Sequence, residues 1–192
     1  MELQPPCPSA AGDLVMSQAR TSIELLSQYA VYHRDQRNIA THFIGVPMIV
    51  FGIGVLLARA RFDVSGVAFS AAWLAFALSA IWYLTRRGQF VLSMAVTAAV
   101  GVLIAAAHGV SDGSVGGWLA WGVGSFLVGW VVQFIGHYYE GRKPAFVDDL
   151  VGLLVGPMFV TAEALFELGW NKPLLAEIER RAGPTHLRNL VM

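Results

Sequence analysis

Four long segments without a charged residue constrain this chain more than any other feature. Only six charged residues occur between positions 43 and 139. The charge-free runs that they leave are 43–58, 64–85, 88–111 and 113–139. A helix needs about 20 mostly apolar residues to cross the hydrocarbon core of a bilayer, with about 17–25 the usual range. The last three runs are long enough, and the first becomes so when it starts at Ile39 or Ala40. The sequence therefore predicts four transmembrane helices.

The overall composition agrees with a membrane protein. Only 14% of the residues are charged, against roughly 25% in a typical soluble domain. The formal net charge is zero and no basic block occurs, which argues against a nucleic-acid partner. The single cysteine, Cys7, excludes an internal disulfide and a thiolate-based metal site. We interpret residues 13–171 as one membrane-embedded domain, between a disordered tail at 1–12 and a cytoplasmic tail at 172–192.

Two further segments flank the predicted spans. Residues 13–33 are amphipathic, and Thr21 and Glu24 have capping-box spacing, so we expect a helix at the membrane surface. A fifth apolar run at 150–166 is interrupted by Pro157. If it crossed the membrane it would carry several basic residues to the outer side, so we expect it to be re-entrant or interfacial. The predicted fold is all-α: an integral membrane bundle of four transmembrane helices with these two additional helices.

The basic residues predict the orientation of the bundle. With four spans, both termini and the middle loop lie on one side, and that side holds eleven of the thirteen lysines and arginines, all except Arg59 and Arg61. Such an excess marks the cytoplasmic side. Both termini, with His33, His42 and His137, are therefore predicted to be cytoplasmic. The expected location is the inner membrane of a bacterium, or the endoplasmic reticulum if the source is eukaryotic.

Polar side chains are concentrated in two places at this predicted membrane boundary. The first group comprises Tyr29, His33, Arg34, Asp35, Arg37, Asn38 and His42. The second comprises His137, Glu140, Arg142, Lys143, Asp148 and Asp149. Ionisable groups next to apolar spans usually have a partner or a function. Because the topology places both groups on the same side, their three histidines can meet.

Histidines and carboxylates offer nitrogen and oxygen ligands without sulfur, a set that suits iron, zinc, copper or nickel. His33 and His42 are nine residues apart, which puts them on opposite sides of one straight helix. A shared ion therefore requires the helix to break or bend between them. The alternative, histidines that only form hydrogen bonds at the interface, stays open, as does contact of Glu163, Asp148 or Asp149 with a metal. Arg142 would attract an anionic headgroup or carboxylate, or act only as a cytoplasmic anchor.

Other functions fit the residues less well. A small transporter or proton-relay protein would need polar groups within its spans, whereas here they lie almost wholly at the ends. A haem-binding bundle with two histidine ligands is a further alternative. A di-iron desaturase is disfavoured because five histidines are too few for a histidine-rich site of that type. A purely structural membrane protein would leave both polar groups unexplained.

Two motifs resemble those of the 2-hydroxy fatty acid dioxygenase family. The first motif consists of Tyr29, His33, Asn38, His42, Gly45 and Pro47. The second comprises Gln133, Phe134, Gly136, His137 and the segment from Glu140 to Ala145, and it continues through Leu150, Leu153, Gly156, Pro157 and Glu163. The likeness covers about 29–166 and is specific in the motifs but not in the spans between them. The best-known family member acts in phytosphingosine breakdown in the fungal endoplasmic reticulum.

This resemblance implies an Fe(II) enzyme of fatty acid α-oxidation that does not need 2-oxoglutarate. It would convert a 2-hydroxy fatty acid and O₂ to the acid one carbon shorter, with loss of the carboxyl carbon. His33, His42 and His137 match the family histidines implicated in iron binding. Tyr29, Asn38 and Glu140 match motif positions and are candidate catalytic residues, and Arg142 is the first choice to orient the substrate carboxylate. An apolar groove in the membrane would hold the acyl chain, because each buried methylene contributes about 0.8 kcal/mol.

Overall fold

The protein is described by a computed structural model, which covers residues 20–144 and 151–190. Its elements are α1 (Ser22–Ala30), α2 (Gln36–Ala58), β1 (Arg61–Val64), β2 (Val67–Ser70), α3 (Ala71–Leu84), α4 (Phe90–Ser111), α5 (Val115–Glu140), α6 (Gly152–Glu167) and α7 (Lys172–Ala182). The prediction of a mostly helical protein is confirmed. Asp148, Asp149 and the predicted tail at 1–12 lie outside the described residues.

Helices α2 to α5 run alternately up and down. At one end of the bundle, the Arg59 side chain after α2 donates to the carbonyl of Ser111 at the end of α4, at 2.7 Å. The indole of Trp118, near the start of α5, donates at 2.8 Å to the carbonyl of Val55 in α2. The start of α2 and the end of α5 therefore meet at the opposite end, which we call the histidine end.

The second predicted transmembrane helix, at 64–85, is not a single long helix in the structure. Only α2, α4 and α5 are, within the described ranges, long and apolar enough to cross a membrane. The run at 64–85 is divided between an antiparallel hairpin and the 14-residue helix α3, which is about 21 Å long. Ser65 and Gly66 both have positive φ, as a two-residue hairpin turn requires. Because the whole run at 64–85 is free of charged residues, its composition did not distinguish the short strands of the hairpin from the helix that follows.

The remaining helices close the histidine end. α1 begins with the predicted capping box between Thr21 and Glu24. α6 is helical as predicted, and the hydroxyl of Tyr83 in α3 donates at 2.9 Å to the carbonyl of Leu154 in α6. α7 buries Leu174 and Ile178 and packs against α1. Residues 172–182 therefore pack against the rest of the protein as a helix, and the predicted domain boundary at 171 and 172 stays a prediction.

Glycines bring α2 and α5 into close contact. A Cβ atom at Gly45 would lie 2.8 Å from the carbonyl oxygen of Gly129, and one at Gly52 would lie 2.7 Å from that of Gly122. These distances are too short for any larger residue without movement of the backbone. Small residues of this kind let membrane helices approach each other. This close contact fixes the relative position of α2, which carries His42, and α5, which carries His137.

Replacing Gly52 with alanine is expected to lower the free energy of unfolding by about 2 kcal/mol, because overpacking of this kind costs about 1–3 kcal/mol. Unfolding of the detergent-solubilised protein by heat or by a denaturing detergent would measure the change. Gly124→Ala is the matched control, because no atom outside its own helix lies within 4 Å of a Cβ there. Equal effects of the two substitutions would contradict the importance of this contact.

Candidate metal centre

The three histidines predicted as metal ligands lie together at the histidine end. His33 lies in the turn between α1 and α2, His42 in the second turn of α2, and His137 in the last turn of α5. They are 0%, 1% and 6% exposed, and one ring nitrogen from each lies within 4.8 Å of the others. The helix does break between His33 and His42, as their spacing required.

Hydrogen bonds to backbone carbonyls define the protonation of two of these rings. Nδ1 of His33 lies 2.8 Å from the carbonyl oxygen of Tyr29, and Nδ1 of His42 lies 2.8 Å from that of Asn38. A carbonyl oxygen only accepts hydrogen bonds, so both Nδ1 atoms carry a hydrogen. Burial lowers the pKa of His33 well below its ordinary value, so that ring is neutral and its Nε2 atom has a free lone pair.

The two Nε2 atoms point at each other. They are 2.9 Å apart, so that when both rings are neutral two lone pairs meet in a buried site without a proton between them. Such an arrangement is repulsive unless a cation lies between the nitrogens. Two imidazole nitrogens bound at right angles to one ion, each about 2.1 Å from it, are about 3 Å apart. When both rings are neutral, the pair therefore has the separation that a shared transition-metal ion produces; when one Nε2 carries a proton, the same separation is that of a hydrogen bond between the two rings.

His137 supplies a further unpartnered nitrogen. Its Nδ1 atom is buried and has no hydrogen-bond partner among the described residues. Buried polar atoms are nearly always satisfied, so one that is not needs an explanation. The donor set of three imidazoles suits iron, zinc, copper or nickel. The residues present therefore fit a divalent metal ion.

Glu140 holds the His33 turn against α5. Its carboxylate accepts hydrogen bonds from the backbone amide of Arg34 at 3.0 and 2.9 Å, from that of Asp35 at 2.8 Å, and from Nδ2 of Asn38 at 3.1 Å. Both carboxylate oxygens are occupied by these donors. These contacts connect the turn that carries His33, before α2, to the end of α5. The catalytic role expected of Glu140 stays a prediction, and its contacts are those of a positioning residue.

Tyr29 and Asn38 both support the histidines. The Tyr29 ring stacks on His33, with centroids 4.1 Å apart and an angle of 5° between the rings. Asn38 donates at 3.0 Å to the carbonyl of Tyr32, and its own carbonyl accepts from His42. Each residue contacts one of the histidines that the sequence predicts as metal ligands, and in metal sites such contacts orient the histidine ring. The catalytic roles predicted for both residues stay predictions.

The segment after α7 also contacts the turn that carries His33. The backbone amide of His186 donates to the carbonyl of Arg34 at 2.9 Å, and the amide of Gln36 donates to the carbonyl of His186 at 3.0 Å. The amide of Arg188 donates to the Asp35 carboxylate at 2.8 Å. Hydrogen bonds from Arg37 to that carboxylate lower the pKa of Asp35. No pattern in the sequence predicts this contact, because backbone atoms of residues 186 and 188 form it while the His186 side chain is exposed.

Arg142 lies beside a different cavity. Its Nη1 atom donates to the carbonyl of Val31 at 3.0 Å. Arg142 lines this cavity together with Arg34, Glu140 and His186. Arg142 is not among the residues that line the cavity next to the histidines. Its role in orienting a carboxylate stays a prediction. Glu163, one of the carboxylates considered as metal ligands, lies 4.0 Å from the Arg34 guanidinium, and its contact with a metal stays a prediction.

An apolar cavity of about 230 Å³ ends at the histidines. Its lining residues are Tyr29, His42, Val46, Ile49, Val50, Ile53, Phe126, Trp130, Gln133, His137, Pro144, Gly152, Leu153, Gly156 and Pro157. Along α2 the lining extends from His42 to Ile53, which is roughly 16 Å at 1.5 Å per residue. The cavity therefore combines a long apolar wall with a polar end at the histidines.

Comparisons with known proteins give a consistent result. A family model described as 2-hydroxy-palmitic acid dioxygenase Mpo1-like matches residues 19–168. The chain is 32% identical over 163 residues to the 2-hydroxy-palmitic acid dioxygenase MPO1 of Saccharomyces cerevisiae, and the match covers 82% of this chain and 88% of the yeast protein. The search of solved structures found no significant match.

Proposed function

This chain belongs to the Mpo1-like family of 2-hydroxy-palmitic acid dioxygenases, and from that premise we propose that it is an Fe(II)-dependent dioxygenase of fatty acid α-oxidation. The proposed reaction converts a 2-hydroxy fatty acid and O₂ to the acid one carbon shorter, without 2-oxoglutarate. The atoms balance when the carboxyl carbon leaves as carbon dioxide and one water is formed. The proposed site is His33, His42 and His137.

One observation carries the metal part of this proposal. The Nε2 atoms of His33 and His42 face each other at 2.9 Å, and both rings donate their other nitrogen to backbone carbonyls. This arrangement is explained when the nitrogens share a cation. Iron, when bound, would supply the redox chemistry with O₂. The protein's part is to fix the three imidazoles and to exclude water from the buried site.

The apolar cavity supports a fatty acid as the substrate. Its side chains from α2, α5 and α6 are mostly apolar, and the polar members lie near the histidines. An acyl chain in this cavity would bury its methylenes, each contributing about 0.8 kcal/mol. Its carboxyl end would then lie beside the three imidazoles. The carbon atoms to be cleaved would be held at the proposed metal site.

The membrane assignment supports a cytoplasmic site. Eleven of the thirteen lysines and arginines occur in segments at the histidine end, which by the charge rule faces the cytoplasm. A transporter or proton relay remains the alternative function. The cluster of buried ionisable groups at one end, rather than along the bundle, favours the enzyme.

Purified protein supplied with Fe(II), oxygen and 2-hydroxypalmitate is expected to form the C15 acid without added 2-oxoglutarate. Metal analysis of the purified protein would accompany the assay, and mass spectrometry would identify the product. Absence of a shortened acid across a range of chain lengths would contradict the proposal. A requirement for 2-oxoglutarate would contradict only the proposed independence from that cosubstrate.

A further inference from the structure

Gln133 is a buried polar side chain whose Oε1 atom has no hydrogen-bond partner among the described residues, and it lies in the cavity next to the histidines. It is 5% exposed, it lines the apolar cavity, and its Oε1 atom has no partner in the described part of the chain. A glutamine in a membrane helix usually forms a hydrogen bond to a neighbouring helix. The Oε1 atom of Gln133 lacks such a bond in the described part of the chain, so hydrogen bonding between helices does not explain the presence of this oxygen.

The packing around Gln133 holds its side chain near the proposed metal site. Gln133 precedes His137 by one helical turn on α5, so the two side chains lie on the same face. Gly45 follows His42 by three residues on α2, and a Cβ at Gly45 would lie 3.0 Å from Cγ and 3.3 Å from Cδ of Gln133. The glycine thus leaves the space that the glutamine side chain occupies. The carboxamide is confined between the two helices that carry His42 and His137.

We infer that Gln133 determines specificity for the 2-hydroxy acid by forming a hydrogen bond with its polar end. This inference rests on the proposed function. A carboxamide offers one acceptor and two donors, so it can accept from the 2-hydroxyl group or donate to the hydroxyl or carboxylate oxygen. With the acyl chain along the apolar wall, that end of the substrate lies between Gln133 and the histidines. A fatty acid without the hydroxyl leaves the carboxamide less satisfied.

Replacing Gln133 with methionine tests this inference, because methionine fills a similar space without a strong hydrogen-bonding group. Equilibrium binding of radiolabelled 2-hydroxypalmitate and palmitate would be measured with Fe(II)-loaded protein in detergent, without oxygen so that no turnover occurs. The wild-type preference for the hydroxy acid is expected to fall roughly tenfold in the variant. The affinity for palmitate should be nearly unchanged.

The thermal stability of the variants separates recognition from a structural role. Because Gln133 is unsatisfied in the protein without substrate, Gln133→Met should unfold at the same or a higher temperature than the wild type. A structural role predicts a lower temperature. Gln28→Leu is a control on the exposed side of α1, outside the cavity lining, and should leave the preference unchanged. Gln133→Asn, which keeps the amide but shortens its reach, provides a second variant and should retain an intermediate preference.

The outcomes distinguish the inference from the function on which it rests. If the wild type prefers 2-hydroxypalmitate and Gln133→Met keeps the full preference, the inference is wrong while the proposed function stands. A Gln133→Met variant that unfolds earlier and loses affinity for both acids equally also overturns the inference. If the wild type does not bind the hydroxy acid better than palmitate, the proposed substrate itself is wrong.

Discussion

His42→Ala protein is expected to bind no iron above background and to turn over 2-hydroxypalmitate at least about 100-fold more slowly than the wild type. Loss of a residue that only supports a metal ligand costs about 10–100-fold, and His42 is proposed to bind the metal directly. Its Nε2 atom lies 2.9 Å from that of His33, so the substitution removes one of the two nitrogens that are proposed to share the metal ion. Metal analysis and product formation would measure both effects.

The stability of the same variant gives a readout that does not depend on activity. A ligand that binds only the folded state stabilises it by about 2.7 kcal/mol at 100 times its dissociation constant. Fe(II) should therefore raise the unfolding temperature of the wild type and have little effect on His42→Ala. His108→Ala is the control, because His108 lies on α4 near Ser70, at the other end of the bundle. A His42→Ala protein that still binds iron with wild-type affinity would show that the three histidines are not the metal site.

Glu140→Ala is expected to lower the free energy of unfolding by about 3 kcal/mol, because leaving each buried donor unsatisfied costs about 1–3 kcal/mol. The carboxylate accepts from two backbone amides and from the Asn38 side chain. Without it, the turn that carries His33 loses its attachment to α5. Metal affinity should fall together with stability. Unfolding in detergent and titration with Fe(II) would measure the two effects.

A partly exposed glutamate provides the comparison for this variant. Glu177 is paired with Arg180 and Arg181 on the surface of α7, and Glu177→Ala should lower the free energy of unfolding far less than Glu140→Ala does, because surface ion pairs contribute little. Glu140→Gln then distinguishes a role in positioning the His33 turn from a role in catalysis. Glutamine has nearly the same shape as glutamate, but its amide can accept hydrogen bonds from fewer donors. If Glu140→Gln keeps full stability and metal affinity yet loses turnover, Glu140 has the catalytic role expected from the sequence motif, and the positioning role is wrong.

The sequence alone determined the features that depend on local composition. Apolar runs become helices in a membrane because the backbone must satisfy its hydrogen bonds within the segment, and α2, α4 and α5 follow from this. The capping box of Thr21 and Glu24 depends on residues three positions apart. The break between His33 and His42 was likewise required by their spacing if both rings were to face one ion.

Only the tertiary structure decided how the site is held and which side chains enter it. Glu140 binds the amide of Arg34 across 106 positions of sequence, and Arg188 binds Asp35 across 153. Gln133 enters the cavity because Gly45 on another helix leaves room for it. Such contacts join single atoms on distant segments and leave no periodic pattern in the chain. Their formation depends on how the helices pack, which a count of apolar and polar residues does not contain.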